Sequence, residues 1–211
     1  LSAFNIFIKE IIFTYNVISF RIINANNIIK KYDKIIITTG LYKNFKNGEF
    51  VDNNFRISSK KISNSLWYVV YLDSKIPSII PKNVIIFKNS GQKSLFKLVK
   101  IVFNNILTSR FSIKKFVNDT NGSSQLSKAL DKSFKKILIP KIKMVLMPYE
   151  GQPYQNNIVK SIKEYSNSIK IKGFIHSYPS LPTHLIKKKY SPDKLIISSK
   201  DQLHSFTKYL G

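Results

Sequence analysis

The chain contains no cysteine, which removes disulfide frameworks, thiolate metal sites and thiol nucleophiles together and allows a reducing compartment. Acidic residues are scarce: 11 Asp and Glu stand against 35 Lys and Arg, a formal net charge of +24. Histidine occurs three times, with no HExxH and no metal-ligand spacing, so neither a metal nor another cofactor is expected. The absence of GxGxxG and GxxxxGK argues against a dinucleotide fingerprint and an ATP phosphate loop. Long hydrophobic runs are missing as well. The apolar N-terminal stretch is broken by Lys9, Glu10 and Arg21 well short of the roughly 20 residues of a membrane span. It also lacks the charged start and small-residue cleavage site of a signal peptide.

What is present is enough for a buried core: 43% of the 211 residues are hydrophobic. The basic excess implies attraction to polyanions or anionic surfaces and says little about fold. Lys, Ile, Asn, Ser, Phe and Tyr have largely AT-rich codons, so compositional drift is a second source of the basicity. The chain starts at Leu1 and ends at Gly211, directly after a helical pattern; it reads as a piece of a longer protein.

Residues 4 to 31 carry apolar positions at mixed three- and four-residue spacings and predict an N-terminal helical segment over 1–33. "KIIITTGLY" then predicts a strand, "KNFKNGEFVDNNF" a polar loop, and "SLWYVVYLD" and "NVIIFK" two buried strands. Leu95 to Val117 reads as a basic helix, "DTNGSSQ" as a loop, and 125 to 138 as a helix with Lys128, Lys132, Lys135 and Lys136 on its exposed side. The last third alternates strand and helix: "IKMVLMP", "YQNNIVKSIKEYS", "IKIKGFIH", "DKLIISS", "KDQLHSFTKYLG". That alternation predicts βαβ units and an open, mostly parallel sheet flanked by helices, one α/β domain over 34–211.

In such sheets ligands sit beyond the carboxyl ends of the strands. "MPYEGQPYQ" puts Glu150 at one of those ends, with Gly151 to turn the backbone and Pro153 suited to the first turn of the next helix. The following strand delivers His176 to the same edge. A carboxylate beside an imidazole can do acid or base work on a hydroxyl, and a nearby helix N-terminus favours an anion. Glu150 equally suits a solvated turn or a lysine partner, His176 an edge-of-core position. His204 falls in a helical pattern and is expected to face solvent.

The run "PYEGQPYQNNIVKSIKEYSNSIKIKGFIHSYPSLPTHLI", followed by "SPDKLII", resembles a bacterial surface-carbohydrate biosynthesis family of glycosyltransferases. Its marks are a Y-E-x-Q-P-[WY] loop, a G-[YF]-x-H-S strand end and a P-D-[KR]-[IL]-I strand. "NGEFVDNNF" is similar to the family's opening loop, N-G-x-F-x-D-x-x-F, and the likeness spans residues 40 to 211. It departs at Tyr154, where Trp is common, and in the irregular, basic stretch from Arg56 to Asn64.

The resemblance implies the N-terminal, acceptor-side Rossmann-like domain of a GT-B enzyme, with a second domain holding the nucleotide sugar. It makes Glu150 the base that deprotonates the acceptor hydroxyl, with His176 beside it. Gln152, Glu49, Asp52 and Ser177 become contacts to acceptor or sugar. The implied partners are a nucleotide sugar, a glycan or lipid-linked acceptor, and the anionic cytoplasmic face of a membrane.

The charge fits that location, since each Lys or Arg near an anionic leaflet contributes about 1 kcal/mol of attraction. Ser74 to Asn118 contains no acid, and Phe96, Phe103, Phe111 and Phe116 interleave its lysines; the phenylalanines serve either docking or the core. Two rivals stay open. A basic nucleic-acid-binding α/β module would use the same charges and aromatics, although Arg is scarce and no recognition motif occurs. An epimerase or polyol-phosphate transferase would share the fold.

Overall fold

The computed structural model describes residues 20–24, 31–89, 95–109, 122–138, 140–175 and 190–210. In chain order its strands are β1 (Phe20–Ile23), β2 (Lys34–Gly40), β3 (Phe45–Lys46), β4 (Glu49–Phe50), β5 (Leu66–Tyr71), β6 (Val84–Asn89), β7 (Met144–Pro148), β8 (Lys170–Ile175) and β9 (Lys194–Ile197). The helices are α1 (Leu95–Ser109), α2 (Gly122–Lys135), α3 (Pro153–Tyr165) and α4 (Lys200–Leu210). Seven strands form one sheet in the order β1-β6-β5-β2-β7-β8-β9, and β3 and β4 form a separate hairpin. Every pairing in the large sheet is parallel except β1 with β6. The fold is therefore α/β, with a mostly parallel sheet.

The central strands read as unbroken apolar runs because both faces of the sheet are covered. Alternate side chains sort into two cores. Ile35, Ile37, Tyr68 and Val145 face Leu130 and Phe134 of α2 and Ile158 and Ile162 of α3. Ile36, Trp67, Val69 and Ile86 face Phe50 of the hairpin. Tyr68 links sheet to helix by donating its hydroxyl to Ser133 Oγ at 2.8 Å. On the other face Phe50 meets Trp67 edge-on, with ring centroids 5.6 Å apart.

The structure departs from the sequence reading in three places. Phe20–Ile23, inside the segment expected to be helical, is an antiparallel edge strand whose Phe20 ring stacks on Phe87 at 4.8 Å; the sheet edge overrides the local spacing. The polar loop after β2 contains a hairpin, turned by Asn47 and Gly48 at φ 51° and 74°, a pair suited to a two-residue reverse turn. Helix α2 begins at Gly122, within the expected "DTNGSSQ" loop. The remaining residues of 1–33 that were expected to be helical (1–19 and 25–30), together with 110–117, lie outside the described residues.

Gly173 sits where β8 passes Tyr149 and Pro192. An added Cβ would lie 2.9 Å from Tyr149 Cβ and 2.8 Å from Pro192 Cγ. Gly173→Ala should therefore cost about 1–3 kcal/mol by overpacking, measured as a lower urea midpoint followed through Trp67 fluorescence.

Burial pushes the Tyr149 phenol up to about 12. Tyr71 reaches about 12 through burial first, then the charge of Asp73 and neighbouring Tyr42. Because the fold favours the protonated phenols, their contribution is complete below about pH 10 and is lost as the pH rises towards about 12. Tyrosinate absorbance should rise in that window together with loss of the folded Trp67 signal.

Candidate functional site

Strand β2 has β5 on one side and β7 on the other, and the chain continues away from β2 and β7 in different directions. A crevice of about 160 Å³ opens beyond their carboxyl ends, lined by Thr38, Thr39, Asn54, Glu150, Tyr154 and Gln155 over a floor that includes Ile37 and Met147. It is smaller than the roughly 300–1,000 Å³ of sites that enclose a whole drug-sized ligand. It suits one reacting group.

The β7 side is built around Gln155, which is buried in the first turn of α3. Its Oε1 accepts from the backbone N–H of Glu150 at 2.8 Å and of Gln152 at 3.0 Å. Its Nε2 donates to Pro148 O at 2.9 Å and to the Tyr154 hydroxyl oxygen at 3.3 Å. One side-chain amide thus fixes both ends of the loop that carries Glu150, the reach-back half of a capping box. Gly151 turns the loop at φ 70°, a left-handed conformation that glycine adopts without strain. Asn156 holds the far side, donating to Gly151 O at 3.2 Å and accepting from the Tyr149 hydroxyl at 2.8 Å.

The β2 side is equally tied down. Buried Thr38 donates its hydroxyl to Asp52 Oδ2 and accepts from Asn54 Nδ2 at 2.9 Å. Asp52 Oδ1 accepts from the Phe55 N–H at 2.6 Å. Phe55 in turn packs on Phe174 of β8, with centroids 5.3 Å apart. Burial raises the Tyr154 pKa; the hydrogen bond from Gln155 lowers it, and the negative charge of Glu150 raises it further. A protonated phenol and a half-buried carboxylate therefore sit close together at the crevice.

The residues singled out in the sequence are distributed unevenly. Glu150 lines the crevice. Gln152 is the exposed residue at the start of α3. Glu49 lies on the hairpin, where it pairs with Lys60 at 3.4 Å, and does not line the crevice. Asp52 is buried, and both its oxygens accept bonds from the protein, so it shapes the crevice from behind. His176 and Ser177 lie outside the described residues, directly after β8. Thr38, Asn54 and Gln155 were not singled out, and Tyr154 stood out only as a departure from the Trp common in the resembling family. For Thr38 the only local signal is "TTG" at a strand end, and for Gln155 a Gln at the third helical position.

Family models, curated proteins and solved structures were compared with the chain, and none matches.

Gln155→Ala should lower stability by about 1–3 kcal/mol, because it strands the Glu150 and Gln152 amides and the Pro148 carbonyl. Amide exchange at Glu150 and Gln152 should quicken. Gln155→Glu keeps the accepting oxygen and should restore protection of those two amides.

Proposed function

We propose that the crevice is the acceptor side of a glycosyltransferase that builds surface polysaccharide, working at the cytoplasmic face of a membrane. The chain is then one Rossmann-like half of a GT-B architecture. Its six parallel strands, counted in chain order, run 3-2-1-4-5-6 across the sheet, and ligands of such sheets bind where that order reverses. The observation that carries the reading is Glu150, a carboxylate held at that reversal by the Gln155 amide and set beside Tyr154 and Asn54.

Hydroxyl, phenol, amide and carboxylate groups over an apolar floor suit a polyhydroxylated ligand. Glu150 takes the proton of the acceptor hydroxyl as the oxygen forms a bond to the anomeric carbon. The bond from that carbon to the diphosphate breaks, and the nucleoside diphosphate leaves with the electron pair. Glu150 afterwards returns the proton to solvent. Helix α3 starts beside this loop with no acidic residue in its first turn, so its positive end suits an anionic group of the substrate. A second domain closing over the crevice would bring the sugar nucleotide. His176, which follows β8 by one residue in the sequence, is the second acid or base of this reading.

Glu150→Gln in the active enzyme should lower kcat by about 10²–10⁴-fold, the range of general base catalysis, with an unchanged urea midpoint. Near-normal turnover would remove Glu150 as the base. Labelled sugar nucleotide recovered as an epimer, rather than in a glycan, would replace transfer with epimerisation.

A further inference from the structure

Helix α1 carries apolar side chains on two sides. At about 100° per residue, Leu98, Ile101, Val102 and Asn105 share one arc and are half-buried or buried. Phe96, Val99, Phe103, Ile106 and Leu107 share another, and it is exposed: 78% for Phe96, 60% for Phe103 and 63% for Leu107. Lys97, Lys100 and Asn104 form the strip between the two arcs. Single exposed apolar residues are ordinary, but a contiguous helical face of five marks a surface that meets something.

Beside it lies a second cavity, of about 550 Å³, between β1, α1 and α2. Arg21, Lys97, Lys132 and Lys136 line it over an apolar floor that includes Phe20 and Phe87, and no acid is among the described residues that line it. Lys97 belongs to both features. A cavity with four cations and an aromatic floor is chemically matched to an anionic group that carries a hydrocarbon portion.

We infer that α1 lies flat on an anionic bilayer, with its Phe96–Leu107 arc among the acyl chains and a lipid phosphate in the Arg21–Lys136 cavity. Charge decides between occupants. A second copy would bring another formal +24 against this face, whereas an anionic leaflet complements it. Helices with one apolar and one lysine-bearing side bind in this interfacial plane. No helix among the described residues is long and apolar enough to cross a membrane, so the contact is peripheral in kind. It is independent of the crevice chemistry, because none of these residues lines the crevice.

The test is sedimentation of the 211-residue chain with vesicles of phosphatidylcholine alone and mixed with phosphatidylglycerol. The wild type should bind the mixed vesicles only. Phe96→Ser with Phe103→Ser, and separately Lys132→Glu with Lys136→Glu, should each weaken binding about tenfold or more, with unchanged circular dichroism. Free glycerol phosphate should not release the protein, because the inserted side chains hold it. Three results would each overturn the inference: wild-type vesicle binding by the phenylalanine variant, complete release by glycerol phosphate, or a self-associating wild type whose association the phenylalanine variant abolishes. Tighter binding to single-stranded RNA than to mixed vesicles, lost only in the lysine variant, would assign the face to nucleic acid instead.

Discussion

Strand β2 is paired along both edges, and the rest of the molecule depends on that arrangement. From β2 the chain adds β5 and then β6 on one side; it then crosses back through α1 and α2 to add β7, β8 and β9 on the other. Two parallel neighbours whose connections lead apart leave a gap beyond their ends. Here the gap is bounded by Thr38 and Asn54 from one direction and by Glu150 and Tyr154 from the other. The same topology buries both faces of the central strands, which requires two separate cores and a cover for each.

The walls of the gap are stiffened by internal hydrogen bonds. Thr38, Asp52, Asn54 and the Phe55 amide form one network, and Gln155 with three backbone groups forms the other. Buried polar groups carry a large penalty when unmatched, so fully matched ones hold a loop in a single conformation. Glu150 thereby has a fixed backbone although it stands in a turn. What these bonds supply to the loop is a fixed position.

Several of the few acids are engaged in local structure. Asp131 pairs with Lys135 and accepts from Ser161, Asp193 pairs with Lys163 and accepts from the Ile171 amide, and Asp73 accepts from the Tyr42 amide. Their number leaves most lysines uncompensated, and the field of the molecule points outward. Even buried Lys88 is satisfied by a carbonyl, that of Ser74, and burial lowers its pKa ahead of the repulsion from Arg21.

Local pattern was sufficient for the elements themselves. Runs such as "LWYVVY" and "NVIIFK" are strands in the structure, and "YQNNIVKSIKEY" is a helix, because β-branched density and 3.6-residue spacing are properties of neighbouring residues. The placement of Glu150 beyond a strand end was legible for the same reason. The adjacency of β7 and β8 was legible too, for the two pair in parallel up to Pro148 and Phe174; that the described wall opposite Glu150 comes from β2, more than a hundred residues earlier, was not. Nor could spacing reveal that Asp52 turns inward, that Gln155 rather than Gln152 secures the loop, or that Phe96 and Phe103 stand in the open. The sequence by itself determined which segments are strands and helices and the excess of positive charge, since both follow from residue type and short-range spacing. Only the tertiary structure decided which ends face each other and which apolar surfaces remain uncovered, because both depend on pairings between residues far apart in the chain.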